Sequence, residues 1–265
     1  MTLPTSVSST PILGASIPRS GHGHLSRLMR RYYADDLRYC ATYVIADCCK
    51  QTPCARTEGR PLVFQKSHDF AFRMPTDVEG ALYLIQHRHP VPNAMSGAEL
   101  RGKERGMKPA AASLAARWKF YDFLAERLAY YRRFHDKWIV TPPARSVAID
   151  HARLEAHPAG VLRDIDAALG RASDEARIEE TCETLAGRGG RKAVVYKPRD
   201  PQESAFFDRP ALAAFEAAVI EECPGFGYAA TLGGADWRTH PLWTLARLRH
   251  EYGRPLPRRR TAEFD

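Results

Sequence analysis

Residues 12–25 read Ile-Leu-Gly-Ala-Ser-Ile-Pro-Arg-Ser-Gly-His-Gly-His-Leu. A short apolar run stops at Pro18, a tight loop carries Arg19, Gly21 and Gly23, and a helical pattern begins at once. This is a strand, a loop and a helix N-terminus in series. In that geometry the loop amides and the positive end of the helix dipole converge on one anion, a phosphate above all. Gly21 and Gly23 let the backbone approach such a group closely, and Arg19 adds a permanent charge in a fork that fits a tetrahedral oxyanion. The loop departs from the Walker A pattern, in which Gly-Lys-Ser/Thr follows the first Gly after four residues, because here the basic residue precedes the Gly pair. Taken alone, the stretch also fits a plain strand-to-helix turn.

A chain of 265 residues accommodates one large α/β domain with a substantial core, or at most two small ones. Its 44% hydrophobic and 26% charged content is that of an ordinary globular protein, which sets aside disordered and fibrous classes. No apolar run approaches the roughly 18–20 residues needed to cross a bilayer. The first ten residues, Met-Thr-Leu-Pro-Thr-Ser-Val-Ser-Ser-Thr, lack a charged start and an apolar core, so no secretion signal is expected and a cytoplasmic location is the default. The net charge of +8 implies an anionic partner without saying which. Part of the excess lies in Arg254-Pro-Leu-Pro-Arg-Arg-Arg260, read as a solvated tail with polyanion contact as the alternative. Cys40, Cys48, Cys49 and Cys54 are spaced C-x7-C-C-x4-C, unlike the C-x-x-C pairs of zinc sites. Reduced structural thiols, a local disulfide and a metal site stay open for them, while Cys182 and Cys223 read as small packed hydrophobes.

Strand-like runs lie at Ile12–Ile17, Leu62–Gln65, Leu82–His87 and Ser146–Asp150, each short, apolar and bounded by polar residues or Pro, as buried parallel strands are. Helical patterns run from Gly23 to Tyr33, across a long stretch from Pro109 to Trp138, and over Pro158–Leu169, Asp174–Leu185, Pro210–Glu222 and Ala235–Tyr252. In the long stretch Leu114, Trp118, Tyr121, Leu124 and Leu128 recur at three- and four-residue steps, a core stripe in which Trp118 and Tyr121 are the candidates for contact with a small molecule. Pro158 and Pro210 read as first-turn prolines, and Gly170 and Gly253 as helix stops. Strands alternating with helices predict an α/β fold, a single domain with a central parallel sheet flanked by helices. The expected layout is a flexible N-terminus over 1–10, the domain over 11–252 and a basic tail over 253–265, with 186–209 as a long Gly-, Arg- and Pro-rich loop.

In such a sheet ligands bind beyond the carboxyl ends of the strands. Three strands end in reactive polar sequence: Arg19-Ser20-Gly21, then Lys66-Ser67-His68-Asp69, then His87-Arg88-His89-Pro90 followed by Ser96. Pro18-Arg19-Ser20-Gly21-His22-Gly23-His24-Leu25, Lys66-Ser67-His68, and Arg88-His89-Pro90 with Ser96 eight positions after the Arg resemble, in order and spacing, three signatures of the sulfotransferases that use 3′-phosphoadenosine 5′-phosphosulfate (PAPS). A looser fourth feature, a strand and a Pro-led helix, is matched by Ser146–Leu154 and Pro158–Gly170. The resemblance covers residues 11–170.

The resemblance implies transfer of a sulfuryl group from PAPS, as co-substrate, to a hydroxyl of a small-molecule, lipid or carbohydrate acceptor, without a metal. It assigns the 5′-phosphosulfate to Arg19 and the amides of Ser20, Gly21, His22, Gly23 and His24, and the 3′-phosphate to Arg88 and Ser96. His68 becomes the base that takes the acceptor's proton, with Lys66 and Arg19 beside the moving group and His151 where an adenine contact is common. Asp69 is expected to point elsewhere, since neighbours on an extended chain face opposite ways. The sequence departs from the family at His22, Gly23 and His24, where Thr, Thr and Trp are common, so that imidazole replaces hydroxyl contacts to the 5′-phosphate. No clear counterpart of a late basic-Gly clamp is present; Arg188-Gly-Gly-Arg191 or Arg191-Lys192 are the candidates. His22 and His24 have no carboxylate or cysteine placed beside them by spacing, so no metal site is expected. Tyr32, Tyr33 and Tyr39 are candidate lining for an acceptor pocket. The competing readings are a P-loop-like nucleotide-dependent kinase and a non-catalytic polyanion-binding protein, the latter accounting for the charge while leaving the ordered motifs to coincidence. No nucleic-acid partner and no membrane span are expected, and the oligomeric state is not readable.

Overall fold

The computed structural model describes residues 9–41, 49–105, 113–187, 208–233 and 237–252. Five parallel strands, β1 (Thr10–Ser16), β2 (Leu37–Ala41), β3 (Leu62–Ser67), β4 (Leu82–His87) and β5 (Ser146–Asp150), form one sheet in the order β2-β3-β1-β4-β5. The register sets Ala15 beside Ser67 on one side and Ser16 beside Gln86 on the other, so three strand ends are level. The eight helices described are α1 (His22–Tyr33), α2 (Pro90–Arg105), α3 (Leu114–Phe134), α4 (His151–Ala156), α5 (Pro158–Leu169), α6 (Glu175–Gly187), α7 (Arg209–Glu222) and α8 (Pro241–Tyr252). The chain divides into two compact units. The first carries the whole sheet with α1, α4, α5 and α6; the second carries α2, α3, α7 and α8.

In the first unit, Ile12, Phe64, Leu82, Leu84 and Ile149 of the sheet share one apolar cluster with Leu25, Leu28 and Met29 of α1, Leu162 and Ile165 of α5 and Ile178 of α6. Leu13, Ala15, Tyr83 and Ile85 alternate with them along β1 and β4 and are buried as well. Strands buried on both faces read as near-continuous apolar runs, which is why β1, β3 and β4 stand out in the sequence. Strand β2 does not stand out, because it is a five-residue edge strand whose Arg38 and Tyr39 are only half-buried. Pro158 opens α5 and Gly170 stops it in the left-handed conformation at φ 72°, as the sequence predicts.

The second unit packs Phe120, Tyr121, Leu124, Leu128 and Tyr131 of α3 together with Leu212, Phe215 and Val219 of α7 and Trp243 of α8, all buried. Tyr131 meets Phe215 edge to face at 5.9 Å, a favoured aromatic geometry. The predicted helix from Pro109 needs correction. Its described part is α3, capped by the Ser113 side chain on the Ala116 amide, and a wider turn over His135–Val140 ends it. Leu114 is 69% exposed, so the apolar stripe starts a full turn later. Helix α2, with Pro90, Pro92 and Gly97, has little helix propensity on paper; its prolines fall in the first turn, where no amide bond is lost. The helix predicted from Ala235 begins at Pro241, preceded by a tight turn at Trp237–Thr239. The predicted loop lies between α6 and α7, with residues 188–207 outside the described residues; so are Gly253 and the basic tail. Among the described residues no helix is long and apolar enough to cross a membrane.

Candidate functional site

The loop from β1 to α1 is built around Gly21. Ser20 N donates to Ile17 O at 3.2 Å to close a turn, and His24 N and Leu25 N donate to Gly21 O at 2.8 and 3.1 Å to start the helix. Gly21 has φ 79°, and a Cβ there would lie 2.4 Å from Cδ2 of His151, so both conformation and space demand glycine. His151, the first residue of α4, is buried with its ring against the loop backbone. Arg19 holds a left-handed φ of 72°, a costly conformation for a side-chain-bearing residue that concentrates at functional sites. The loop is tied to β4 twice: Ile17 N donates to Gln86 O at 3.0 Å, and Gln86 Nε2 donates to Ser20 O at 2.7 Å. The amides of Ser20 and His24 are thus already bonded within the loop and helix start, whereas those of His22 and Gly23 come before the helix's first bond and lie at the positive end of its dipole.

His22, the first residue of α1, folds back over β1. Its ring stacks on Phe64 at 5.6 Å and meets His68 edge-on at 6.2 Å. Gly14 makes the room, since a Cβ there would come within 2.8 Å of the Phe64 ring and 3.1 Å of His22 Cε1. The ring is 5% exposed and neither of its nitrogens has a hydrogen-bond partner. Burial, then the charges of Lys66 and His68, hold it well below the ordinary histidine range of 6.5, so it is neutral at physiological pH. His24, less buried, is lowered by burial and by Arg27.

Strand β3 delivers Lys66 half-buried, then Ser67 and His68 buried. His68 Nδ1 lies 3.0 Å from the carbonyl oxygen of Ser16 and 2.8 Å from its hydroxyl. A carbonyl oxygen only accepts, so Nδ1 carries the proton in the neutral ring and Nε2 is the basic nitrogen. Asp69 turns away, as expected: its amide donates to Ser67 Oγ at 2.9 Å and its carboxylate accepts from the Met74 amide at 2.8 Å, closing the next turn.

The first unit therefore brings together Arg19, Ser20, Gly21, His22, Gly23 and His24 on one loop and helix start, with Lys66 of β3 and His68 just beyond its end beside His22, and His151 against Gly21. Arg88 and Ser96 belong to the second unit. There the Arg88 carbonyl accepts from Tyr131 Oη at 2.8 Å, and Ser96 is buried on α2. Tyr32 and Tyr33 do not line a pocket: both hydroxyls donate to the buried carboxylate of Asp166, at 2.5 and 2.9 Å. Tyr121 is core, its hydroxyl 2.9 Å from His240 Nε2. The candidate basic clamp at 188–192 is outside the described residues. Cys40, Cys49, Cys54, Cys182 and Cys223 are not joined in disulfides, and no metal-ligating group of three or more side chains occurs among the described residues. Ser16 and Gln86 were not foreseen; the signal for each is a polar residue near the end of an otherwise apolar strand.

No protein-family model and no curated protein matches the sequence. Among solved structures the chain is similar to mouse sulfotransferase SULT7A1 complexed with PAP, with a TM-score of 0.60 and 16% identity over 92% of this chain and 89% of that one. Weaker likenesses are to a sulfotransferase from Alicyclobacillus acidocaldarius (TM-score 0.40, 17% identity, 68% of this chain and 93% of that one) and to retinol dehydratase in complex with retinol and PAP (TM-score 0.47, 12% identity, 96% and 84%). The first of these shows that the α/β fold with its five-stranded parallel sheet is sulfotransferase-like.

Proposed function

We propose that the protein is a PAPS-dependent sulfotransferase acting on the hydroxyl of a small-molecule, lipid or carbohydrate acceptor. The observation that carries this reading is His22: a buried, neutral imidazole with both nitrogens unpartnered, at a helix start, with Lys66 and His68 as neighbours. A buried polar ring without partners is costly unless a ligand completes it. A donor cluster of loop amides, imidazole, guanidinium and ammonium matches a phosphosulfate anion, and the sulfotransferase-like fold and the order of the sequence motifs support the same donor.

PAPS supplies a sulfuryl group on a phosphate leaving group, and the remaining chemistry falls to side chains. The loop amides at the start of α1 and the Arg19 guanidinium hold the 5′ end, and a neutral His22 donates an N–H where the family commonly offers a hydroxyl. Arg88 and Ser96 take the 3′-phosphate and His151 contacts the base, on the strength of their motif positions. His68 Nε2 takes the acceptor hydroxyl's proton, and the Ser16 carbonyl on Nδ1 steadies the imidazolium that forms. Lys66 and Arg19 meet the charge that develops on the bridging oxygen; loss of one such donor costs about 10²–10³ in rate.

Thermal denaturation with adenosine 3′,5′-bisphosphate, with ATP and with buffer tests the donor. At a hundredfold excess over its dissociation constant the bisphosphate stabilises by about 2.7 kcal/mol, and ATP far less. Transfer of label from PAPS to a panel of hydroxylated acceptors then tests the reaction, with His68→Ala expected to keep the bisphosphate shift and lose transfer. Stabilisation by ATP alone, or full transfer by His68→Ala, overturns the reading.

A further inference from the structure

In the first unit, residues 49–55 form a turn that lies against β2 and β3. Cys49, Cys54 and Cys40 cluster there with Val63. The sulfurs of Cys49 and Cys54 are 3.5 Å apart, with four residues between them in the chain. Two sulfurs in contact across so short a stretch of chain need close by only about 1.5 Å to reach the ~2.05 Å of a disulfide bond.

We infer that Cys49 and Cys54 form a redox-active dithiol, a modification site that exchanges with low-molecular-weight disulfides such as glutathione disulfide and closes into an intramolecular disulfide. The two sulfurs have different surroundings. Cys49 is half-exposed and accepts from the Ala55 amide at 3.3 Å; Cys54 is 5% exposed and receives the Arg38 guanidinium at 3.4 Å. Hydrogen bonds from the Gln51 amide first, then from Ala55, Cys54 and Arg56, outweigh burial and lower the Cys49 thiol to about 7. A thiol that titrates near ambient pH is the best attacking group, since it combines a large thiolate fraction with retained nucleophilicity. Cys49 is thus the entry sulfur and Cys54 the resolving one.

The exchange balances in two displacements. The Cys49 thiolate attacks one sulfur of the small disulfide, the S–S bond breaks, and one small thiolate leaves. Cys54 then loses its proton to solvent and its sulfur attacks Cys49 Sγ, expelling the second small thiolate. Two electrons pass from the cysteine pair to the small disulfide, which ends as two thiols. The turn is anchored for this: Gln65 of β3 donates from Nε2 to Gln51 O at 2.7 Å and to Thr52 Oγ1 at 3.3 Å, holding the residues between the two sulfurs against the sheet.

The test is incubation of the full chain with glutathione disulfide, alkylation of the remaining thiols, and peptide mapping without reduction. The expected product joins Cys49 to Cys54 and is reversed by dithiothreitol. Between about pH 6 and about pH 8 its rate of formation rises about tenfold, following the Cys49 thiolate. In Cys54→Ser a stable glutathione adduct accumulates on Cys49; in Cys49→Ser no disulfide reaches Cys54. Both serine variants are near-isosteric, and their melting temperatures are compared with the parent. Alkylation of both Cys49 and Cys54 after the incubation, or a disulfide that instead uses Cys40 or the neighbouring Cys48, overturns the inference. None of these readouts depends on the proposed transferase activity.

Discussion

Ser16 holds His68 with two oxygens, a carbonyl at 3.0 Å and a hydroxyl at 2.8 Å from Nδ1. A substitution removes only the second. The hydroxyl strengthens its bond when the ring becomes imidazolium, because hydrogen bonds to charged groups are worth about 1.5–3 kcal/mol against about 0.5–1.5 for neutral ones. Ser16→Ala is therefore predicted to lower kcat about tenfold, equivalent to about 1.4 kcal/mol of transition-state stabilisation, with the KM for PAPS unchanged. Ser16→Thr, which restores the oxygen, recovers most of the loss. Unchanged kcat in Ser16→Ala, or a rise in KM alone, removes Ser16 from the positioning of His68. The contrast with His68 itself shows what a sequence discloses at this scale. Lys66, Ser67 and His68 are consecutive, as are Arg19 to His24, so their grouping is visible in the chain. Ser16 and Gln86 act across strands, and their roles exist only once the register sets Ala15 beside Ser67 and Ser16 beside Gln86. His22 was legible as a loop residue, but its stacking on Phe64 over Gly14 was not.

Among the elements, α1, α5 and α6 are joined by a buried polar latch as well as by apolar packing. Tyr32 and Tyr33 at the end of α1 donate to Asp166 of α5, and Tyr32 Oη accepts from the amide of Asp174, which begins the first turn of α6. Burial and the Asp166 carboxylate raise both phenols, Tyr32 to about 12, so both stay protonated as donors. Asp166→Ala leaves two buried hydroxyls without their acceptor. At about 1–3 kcal/mol for each orphaned group, with partial relaxation, we predict a loss of about 2–4 kcal/mol in urea unfolding. Tyr33→Phe removes donor and unmet need together and costs about 1 kcal/mol. A cost under about 0.5 kcal/mol for Asp166→Ala means that water replaces the carboxylate and the latch is dispensable. The strands and helix ends of this region were readable because apolar runs, Pro158 and Gly170 act locally. The latch was not, since it joins residues more than a hundred positions apart, and the edge strand β2 was lost for want of an apolar signal.

Over the whole molecule, buried imidazoles set the response to acid. His22 is lowered well below 6.5 by burial and the charges of Lys66 and His68; His87 is lowered by burial against the opposing effect of Asp150; His24 is lowered by burial and Arg27. In the unfolded chain each of these rings titrates near 6.5. Well above that pH neither state binds the proton and stability is flat. Below it the unfolded state takes up protons that the folded state refuses, so stability falls with pH until the buried rings themselves protonate. The slope is about 1.4 kcal/mol per pH unit for each proton of difference, with His22 contributing nearly a full proton and half-buried His24 less. Glu126 and Glu251, lowered from 4.5, act in the same direction but only at more acid pH. The net charge of +8 adds repulsion that makes each further proton less welcome in the compact state. Urea midpoints measured at about pH 7.5, 6.5 and 5.5 are predicted to fall slightly over the first interval, in which the unfolded rings reach half-protonation, and about three times as steeply over the second. His22→Gln flattens that drop by about one proton's worth, while its stability above pH 6.5 changes little. A wild-type midpoint independent of pH from 7.5 to 5.5 shows that His22 takes up its proton in the fold, and a ring already charged there does not enter an anion site as a neutral donor.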